Sequence, residues 1–240
     1  EQYELEKQCL EDLLNIRVEG VIACLSQNTT DYSHFEAIYK RNVPIVFFDR
    51  VCLTDKFSSV ITNNADSAHE ATSHFLMTGS KRVGFIGGAN HLKIVKERKH
   101  GYLEALREHN IPIEKELVYC KRIGYNEGYE GAKKLLSLPN PPDAILAMTD
   151  SLAFGAVKAI KEEGLKIPED ISIIGYTDEV HSNYHDPGLT AVTHQTYKMG
   201  EEACQLLLKQ LNGKVKPQQI VIPTILTIRN SSIKAQKKQV

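Results

Sequence analysis

The segment 169–180, EDISIIGYTDEV, opens on two charges, runs through Ile171, Ile173 and Ile174, breaks at Gly175 and ends in the polar group Tyr176, Thr177, Asp178 and Glu179. An apolar run of this length, rich in β-branched residues and closed by a glycine, is the pattern of an interior strand of a parallel sheet, buried on both faces. In open α/β sheets ligands are held outside the carboxyl ends of such strands. The polar end of this segment is therefore where function is sought first.

The same beat extends in both directions. Leu5, Cys9, Leu10, Leu13 and Leu14 recur at helical spacing, and residues 20–25, GVIACL, follow as a strand. A short helix through Phe35, Ile38 and Tyr39 leads to the strand IVFF, which starts after Pro44 and ends at Asp49. Val60 and Ile61 suggest a third strand, and a helix from about Asp66 stops at Gly79, a residue suited to a helix C-terminus. Strand RVGFI then reaches Gly87 and Gly88, a helix covers Tyr102 to Glu108, and strand LVYC precedes a helix carrying Ala132, Leu135 and Leu136. Residues 139–142, PNPP, punctuate the chain before strand AILAM, a helix runs from Leu152 to Glu163, and the 169–180 strand is followed by a loop. A helix over about Tyr197 to Leu211 and the stretch QQIVIPTILTI complete the pattern. Strands alternating with helices build βαβ units, and so a parallel sheet covered on both faces. There are too many units for one small sheet and no Gly/Ser-rich linker between them, so two doubly wound lobes joined by crossing strands are expected.

Composition narrows the function classes. The 240 residues are 42% hydrophobic and 25% charged, an ordinary globular balance with a formal net charge of -1. That charge has nothing to attract nucleic acid or an anionic membrane. No run reaches membrane-spanning length, and the start EQYELEKQCL is acidic rather than basic then apolar. The five cysteines are scattered, odd in number and never in a CxxC pair, which suits a reducing cytoplasm and reads as small core residues.

No sequence feature demands catalysis. GFIGGAN is not a G-x-G-x-x-G loop, no G-x-x-x-x-G-K-[ST] occurs, and no nucleophile elbow is present. His181 and His185 are spaced as H-x3-H between Asp178 and Asp186, but no third ligand on a rigid element accompanies them. No metal, cofactor or enzyme activity is therefore expected. What recurs is a polar residue just beyond a buried strand: Asp49 after IVFF, Thr149 and Asp150 after AILAM, Thr177 and Asp178 after SIIGY. Asp150, directly before SLAFGAVKAI, reads mainly as a helix cap, whereas Asp49 precedes no helical pattern.

The ordered segments VPIVFFDRV, GSKRVGFIGG, RKHGYLEAL, PPDAILAMTDSLAFGAVKAI, IPEDISIIGYTDE, PGLTAVTHQTYKMGEEA and IPTILTIRNSS resemble the effector-binding core of LacI/GalR-family transcription regulators across nearly the whole chain. The resemblance implies a periplasmic-binding-protein-like type I fold, with two α/β lobes and a ligand cleft. The N-terminal lobe would comprise residues 1–62 and 193–220 with its first strands missing, the C-terminal lobe residues 63–192 and 221–232, and residues 233–240 a basic tail. The chain would cross between lobes near Thr62, Thr193 and Val221. The family's helix-turn-helix head would precede this chain.

Position by position, the resemblance implies that Arg98, in R-x-x-G-Y with Gly101 and Tyr102, is the ligand arginine, a planar donor to a hydroxyl pair or carboxylate. Asp49 matches an acidic cleft position, and Thr149 stands where sugar-responsive members often carry Asn. Ile123 and Thr196 occupy places where members carry aromatic rings. Thr177 replaces an aspartate that grips the ligand, leaving Asp178 as a local cap or rim residue. Threonine is a weaker partner than a carboxylate, and lost rings remove a stacking surface, so a simply held hexose is not expected; the effector is expected to be carbohydrate-like, with a sugar derivative, an acid that pairs with Arg98 or another ligand left open. The implied protein is a cytoplasmic, homodimeric transcriptional regulator that binds operator DNA through its head, with a small-molecule effector and no membrane partner. The alternative reading, from another functional class, is a solute-binding protein of a sugar importer.

Overall fold

The computed structural model describes residues 1–213 and 216–234. The chain forms two compact units, the first of residues 1–63, 91–94 and 195–223, the second of 64–90, 95–194 and 224 onward. The first unit contains α1 (Tyr3–Asn15), β1 (Val21–Ala23), α2 (Ser33–Lys40), β2 (Ile45–Phe48), β3 (Ser58–Thr62), α8 (Thr196–Leu211) and β9 (Gln219–Ile222). Its four strands pair in the order β1-β2-β3-β9, all parallel. Val46, Val60, Met199, Ala203, Leu206 and Ile222 form its core, so one face of α8 covers the central strands. Phe35, Phe47 and Phe57 add edge-to-face contacts at 4.9 and 5.6 Å between ring centroids.

The second unit contains α3 (Asn64–Met77), β4 (Val83–Gly87), α4 (Lys93–Glu108), β5 (Val118–Cys120), α5 (Tyr125–Leu136), β6 (Ala144–Ala147), α6 (Asp150–Glu162), β7 (Ser172–Thr177), α7 (Val180–Tyr184), β8 (Thr190–Thr193) and β10 (Ile225–Thr227). Its sheet has the order β10-β8-β7-β6-β4-β5, parallel except for β10, which runs antiparallel to β8 at the edge. Every residue of β4 and β6, and all of β7 but Thr177, is buried, which is why these strands read as unbroken apolar runs. The expected α/β architecture of parallel sheets with covering helices is thus present in both units.

Local signals act where the sequence places them. Helix α3 ends in paired hydrogen bonds, Gly79 N to Leu76 O and Ser80 N to Phe75 O, with Gly79 at φ +100°. This closure needs a left-handed residue, and glycine supplies it without a Cβ clash. QQIVIPTILTI is two strands, β9 and β10, in different sheets, because Pro223 has no N–H to continue a ladder. The first unit's last segment runs to Pro223, just after β9 ends at Ile222. Of the cysteines only Cys52 is buried; Cys9 and Cys204 are exposed on helices, so the reading of all five as core residues is corrected. The basic tail lies, from residue 235 on, outside the described residues; Lys234 pairs with Asp143 at 3.6 Å. No helix among the described residues is long and apolar enough to cross a membrane.

Helices α5 and α6 cross backbone to backbone. A Cβ at Gly128 would lie 2.1 Å from Leu152 O, and one at Gly155 would lie 2.0 Å from Tyr125 O. Gly128→Ala and Gly155→Ala are each expected to destabilise the chain by about 2 kcal/mol, since the helices must separate to admit a methyl group. Urea unfolding checks this; a change within 0.5 kcal/mol, the usual range for surface substitutions, would contradict the close crossing.

Candidate functional site

In the six-stranded sheet the chain passes from β4 to β5 on one side, then returns to place β6 on the other side of β4. The β4–β6 pair is therefore the point where strand order reverses, and the crevice at its carboxyl end is the ligand position of such sheets. Arg98 stands at this point. Helix α4 begins at Lys93, nine residues before the expected Tyr102, so Arg98 lies within the helix rather than ahead of it. Its side chain is only 1% exposed.

The R-x-x-G-Y spacing explains how the helix is seated. A Cβ at Gly101 would lie 1.9 Å from Ala65 O, so only glycine lets α4 approach the start of α3 this closely. Tyr102, on the same helix, buries its ring and donates its hydroxyl to Val83 O at 2.8 Å, anchoring α4 to β4. Burial moves that phenol's pKa upward. The close crossing brings Arg98 Nε to 2.9 Å from Asn64 Oδ1 on α3.

Further guanidinium contacts come from strand ends. Nη1 donates to the main-chain oxygen of Met148, immediately after β6, at 2.5 Å. Nη2 lies 3.2 Å from His194 Nε2, immediately after β8. The guanidinium carbon sits 4.1 Å from the centroid of the Tyr176 ring in β7, a cation–π contact in a dry site. Burial and then the Arg98 charge push the His194 pKa down to about 3, so the ring is neutral near pH 7 and Nε2 accepts the bond. Burial pushes Tyr176 up to about 12, with Arg98 opposing, so the phenol stays protonated. The neutral His194 ring therefore adds no second positive charge beside Arg98.

The cap of α6 is Thr149 rather than Asp150. Thr149 caps α6, its hydroxyl oxygen accepting from Leu152 N at 3.3 Å. That leaves its hydroxyl proton available to donate. Asp150 is fully buried and reaches across to the loop after β7, where Oδ2 accepts from Glu179 N at 2.6 Å and Ser182 Oγ at 3.0 Å. Burial raises its pKa to about 6. Asp178 is not a local cap either: its carboxylate meets Arg229 at 2.8 and 3.1 Å and accepts from Thr193 Oγ1 at 2.9 Å. Ile123 follows β5 and packs against Gly88 after β4, where a Cβ would lie 2.6 Å from Ile123 Cγ1. This approach shows why a glycine follows the β4 strand.

Residues 72–232 match the profile of the periplasmic binding protein-like domain. The chain is 32% identical over 238 residues to the probable HTH-type transcriptional repressor ExuR of Bacillus subtilis strain 168, covering 96% of this chain and 71% of that protein. It is 33% identical to the HTH-type transcriptional repressor PurR of Actinobacillus pleuropneumoniae serotype 3, covering 92% and 66%. Among solved structures, a LacI family transcriptional regulator from Mycobacterium smegmatis aligns with a TM-score of 0.86 at 26% identity, covering 95% of this chain and 84% of that one. The chain belongs to the LacI family.

This LacI-family chain spans about two thirds of the length of the curated relatives it matches. A further solved relative, a transcriptional regulator CelR–cellobiose complex, aligns at 26% identity with a TM-score of 0.87, covering 96% of this chain and 71% of that one. Of the six residues singled out from the sequence, Arg98, Ile123, Thr149 and Thr177 lie in the second unit, on or behind the carboxyl edge of its sheet. Asp49 and Thr196 belong to the first unit. Asp49 directly follows β2, half-buried at φ +56°, with its N–H donated to Val60 O at 3.0 Å. Thr196 is the exposed first residue of α8. The partners Asn64, Met148, Tyr176 and His194 were not singled out from the sequence. Met148 and Tyr176 each sit at a strand end directly before a residue that was, Thr149 and Thr177, a signal available in the sequence. Among the described residues no group of three or more His, Cys, Asp or Glu side chains could hold a metal ion. His185 instead stacks on Phe154, with ring centroids 5.6 Å apart.

Proposed function

We propose that this chain is the effector-sensing core of a LacI-family transcriptional repressor, in which a carbohydrate-like small molecule shifts affinity for operator DNA. The observation that carries the reading is the Arg98 node, a buried cation at the strand-order reversal of a parallel sheet. Within the second unit Arg98, Thr149 and Thr177 supply polar contacts and Ile123 an apolar one. The two compact units are the two lobes. The relative crystallised with cellobiose supports a carbohydrate effector. No bond is made or broken: the effector favours one conformation over another by its differential affinity. The protein works in the cytoplasm as a homodimer, presenting two DNA-binding heads to a two-fold-related operator.

A thermal-shift screen of mono- and disaccharides, sugar acids and nucleosides on the full-length protein tests this. An effector at 100 times its Kd is expected to raise stability by about 2.7 kcal/mol. The same compound is expected to change operator affinity in a gel-shift titration. Operator binding that no stabilising compound alters would overturn the sensing role, and sedimentation as a monomer would overturn the dimer.

A further inference from the structure

Strand β7 ends in two successive left-handed residues, Thr177 at φ +97° and Asp178 at φ +64°. Aspartate visits this region readily, whereas a β-branched threonine is strained there and stays only where its surroundings hold it. The contacts that hold it are specific. Thr177 pairs in register with Thr193, and His194 N donates to Thr177 O at 3.3 Å. On the next residue, Asp178 Oδ2 accepts from Thr193 Oγ1 at 2.9 Å and from Arg229 Nη2 at 3.1 Å, while Oδ1 lies 2.8 Å from Arg229 Nη1. Arg229 is in turn fixed by Nη1 donating to Leu189 O at 2.6 Å and by main-chain bonds in both directions with the Thr190 hydroxyl. Thr193 and Thr227 join their hydroxyls at 2.5 Å, closing the ring of contacts.

We propose that Asp178 is a positioning residue: its carboxylate, gripped by Arg229 and Thr193, holds Thr177 in the left-handed conformation at the carboxyl edge of β7. Its functional meaning rests on the reading of Thr177 as an effector contact, but the clamp itself does not. Oδ2 thus takes two hydrogen bonds, and Oδ1 meets Arg229 as an ion-pair contact without a hydrogen bond of its own. The clamp also reaches the end of β8, just before the chain leaves this unit at His194, and the segment after β10, just beyond its return at Thr224.

A double-mutant cycle on stability tests the clamp without any ligand. Thr177→Gly removes the strain and is expected to raise the folding equilibrium constant several-fold, net of the entropy glycine adds to the unfolded chain. Asp178→Asn keeps the shape and loses the ion pair. In that background the turn relaxes, and the gain from Thr177→Gly is expected to shrink below twofold. A residue that merely stabilised the unit would leave that gain unchanged. An equal gain in both backgrounds, or no gain in the wild type, would overturn the proposal. If Asp178→Asn does not fold, Thr193→Val removes one bond to the carboxylate and completes the same cycle. Failure of the cycle leaves ligand-dependent operator binding untouched, so the two readings fail separately.

Discussion

Arg98→Met is expected to lower stability by about 4 kcal/mol, and Arg98→Lys by about 2 kcal/mol, in urea unfolding at pH 7. Methionine fills much of the arginine's volume, so the loss is chiefly one of hydrogen bonds and charge. It leaves Asn64 Oδ1, Met148 O and His194 Nε2 without the donors that Arg98 gives them, in a largely buried site. An unpaired buried acceptor costs about 1–3 kcal/mol, and three of them set the scale. Lysine keeps a positive charge, but a compact ammonium cannot serve three acceptors at the corners of a planar fork or stack on the Tyr176 ring. His194 gives a second readout. The Arg98 charge is one of two causes of its low pKa, so in Arg98→Met the imidazole is expected to titrate at a higher pH, still below the ordinary value because burial is the larger cause. A surface-like loss below 0.5 kcal/mol, with an unmoved His194, would show that the node does not hold this edge of the sheet.

The contrast between Arg98 and its partners shows what was legible in the sequence. The arginine carries a local signature, since R-x-x-G-Y places the charge, the close-approach glycine and the anchoring phenol on one helix. Its partners lie 34, 50 and 96 residues away and are joined only by the fold. The same division holds for the strands. Strands β4, β6 and β7 are buried on both faces and read as apolar runs, whereas β8 is four residues, TAVT, too short to declare a period beside PGL and HQ. Thr149 and Asp150 show the limit at a single turn. Both are good caps, and which of them caps depends on whether a loop 29 residues later offers the other a partner. Exposed Cys9 and Cys204 mark a compositional argument that ignored position, because a cysteine on the solvent face of a helix meets no core whatever its usual habit.

Asp150→Asn is expected to separate from the wild type as pH rises. The buried carboxyl has its pKa raised from 3.8 to about 6, so between these values the folded chain holds a proton that the unfolded chain has released. Stability from this group therefore falls as pH rises through the window, by about 3 kcal/mol in all. Asparagine keeps an oxygen for Glu179 N and Ser182 Oγ and has no proton to lose. The stability of Asp150→Asn relative to wild type is thus expected to climb from a plateau below pH 4 to a second plateau above pH 6. His194 runs the other way in the wild type: its pKa is lowered from 6.5 to about 3, so stability is lost as pH falls through that range. The two slopes oppose each other between pH 4 and 6, and the wild-type profile alone hides both. Because His194 is common to wild type and variant, subtracting their urea-unfolding free energies at each pH cancels it and leaves Asp150. A difference that stays flat from pH 4 to 8 would mean that the Asp150 carboxyl is already ionised at pH 4, with Glu179 N and Ser182 Oγ offsetting its burial.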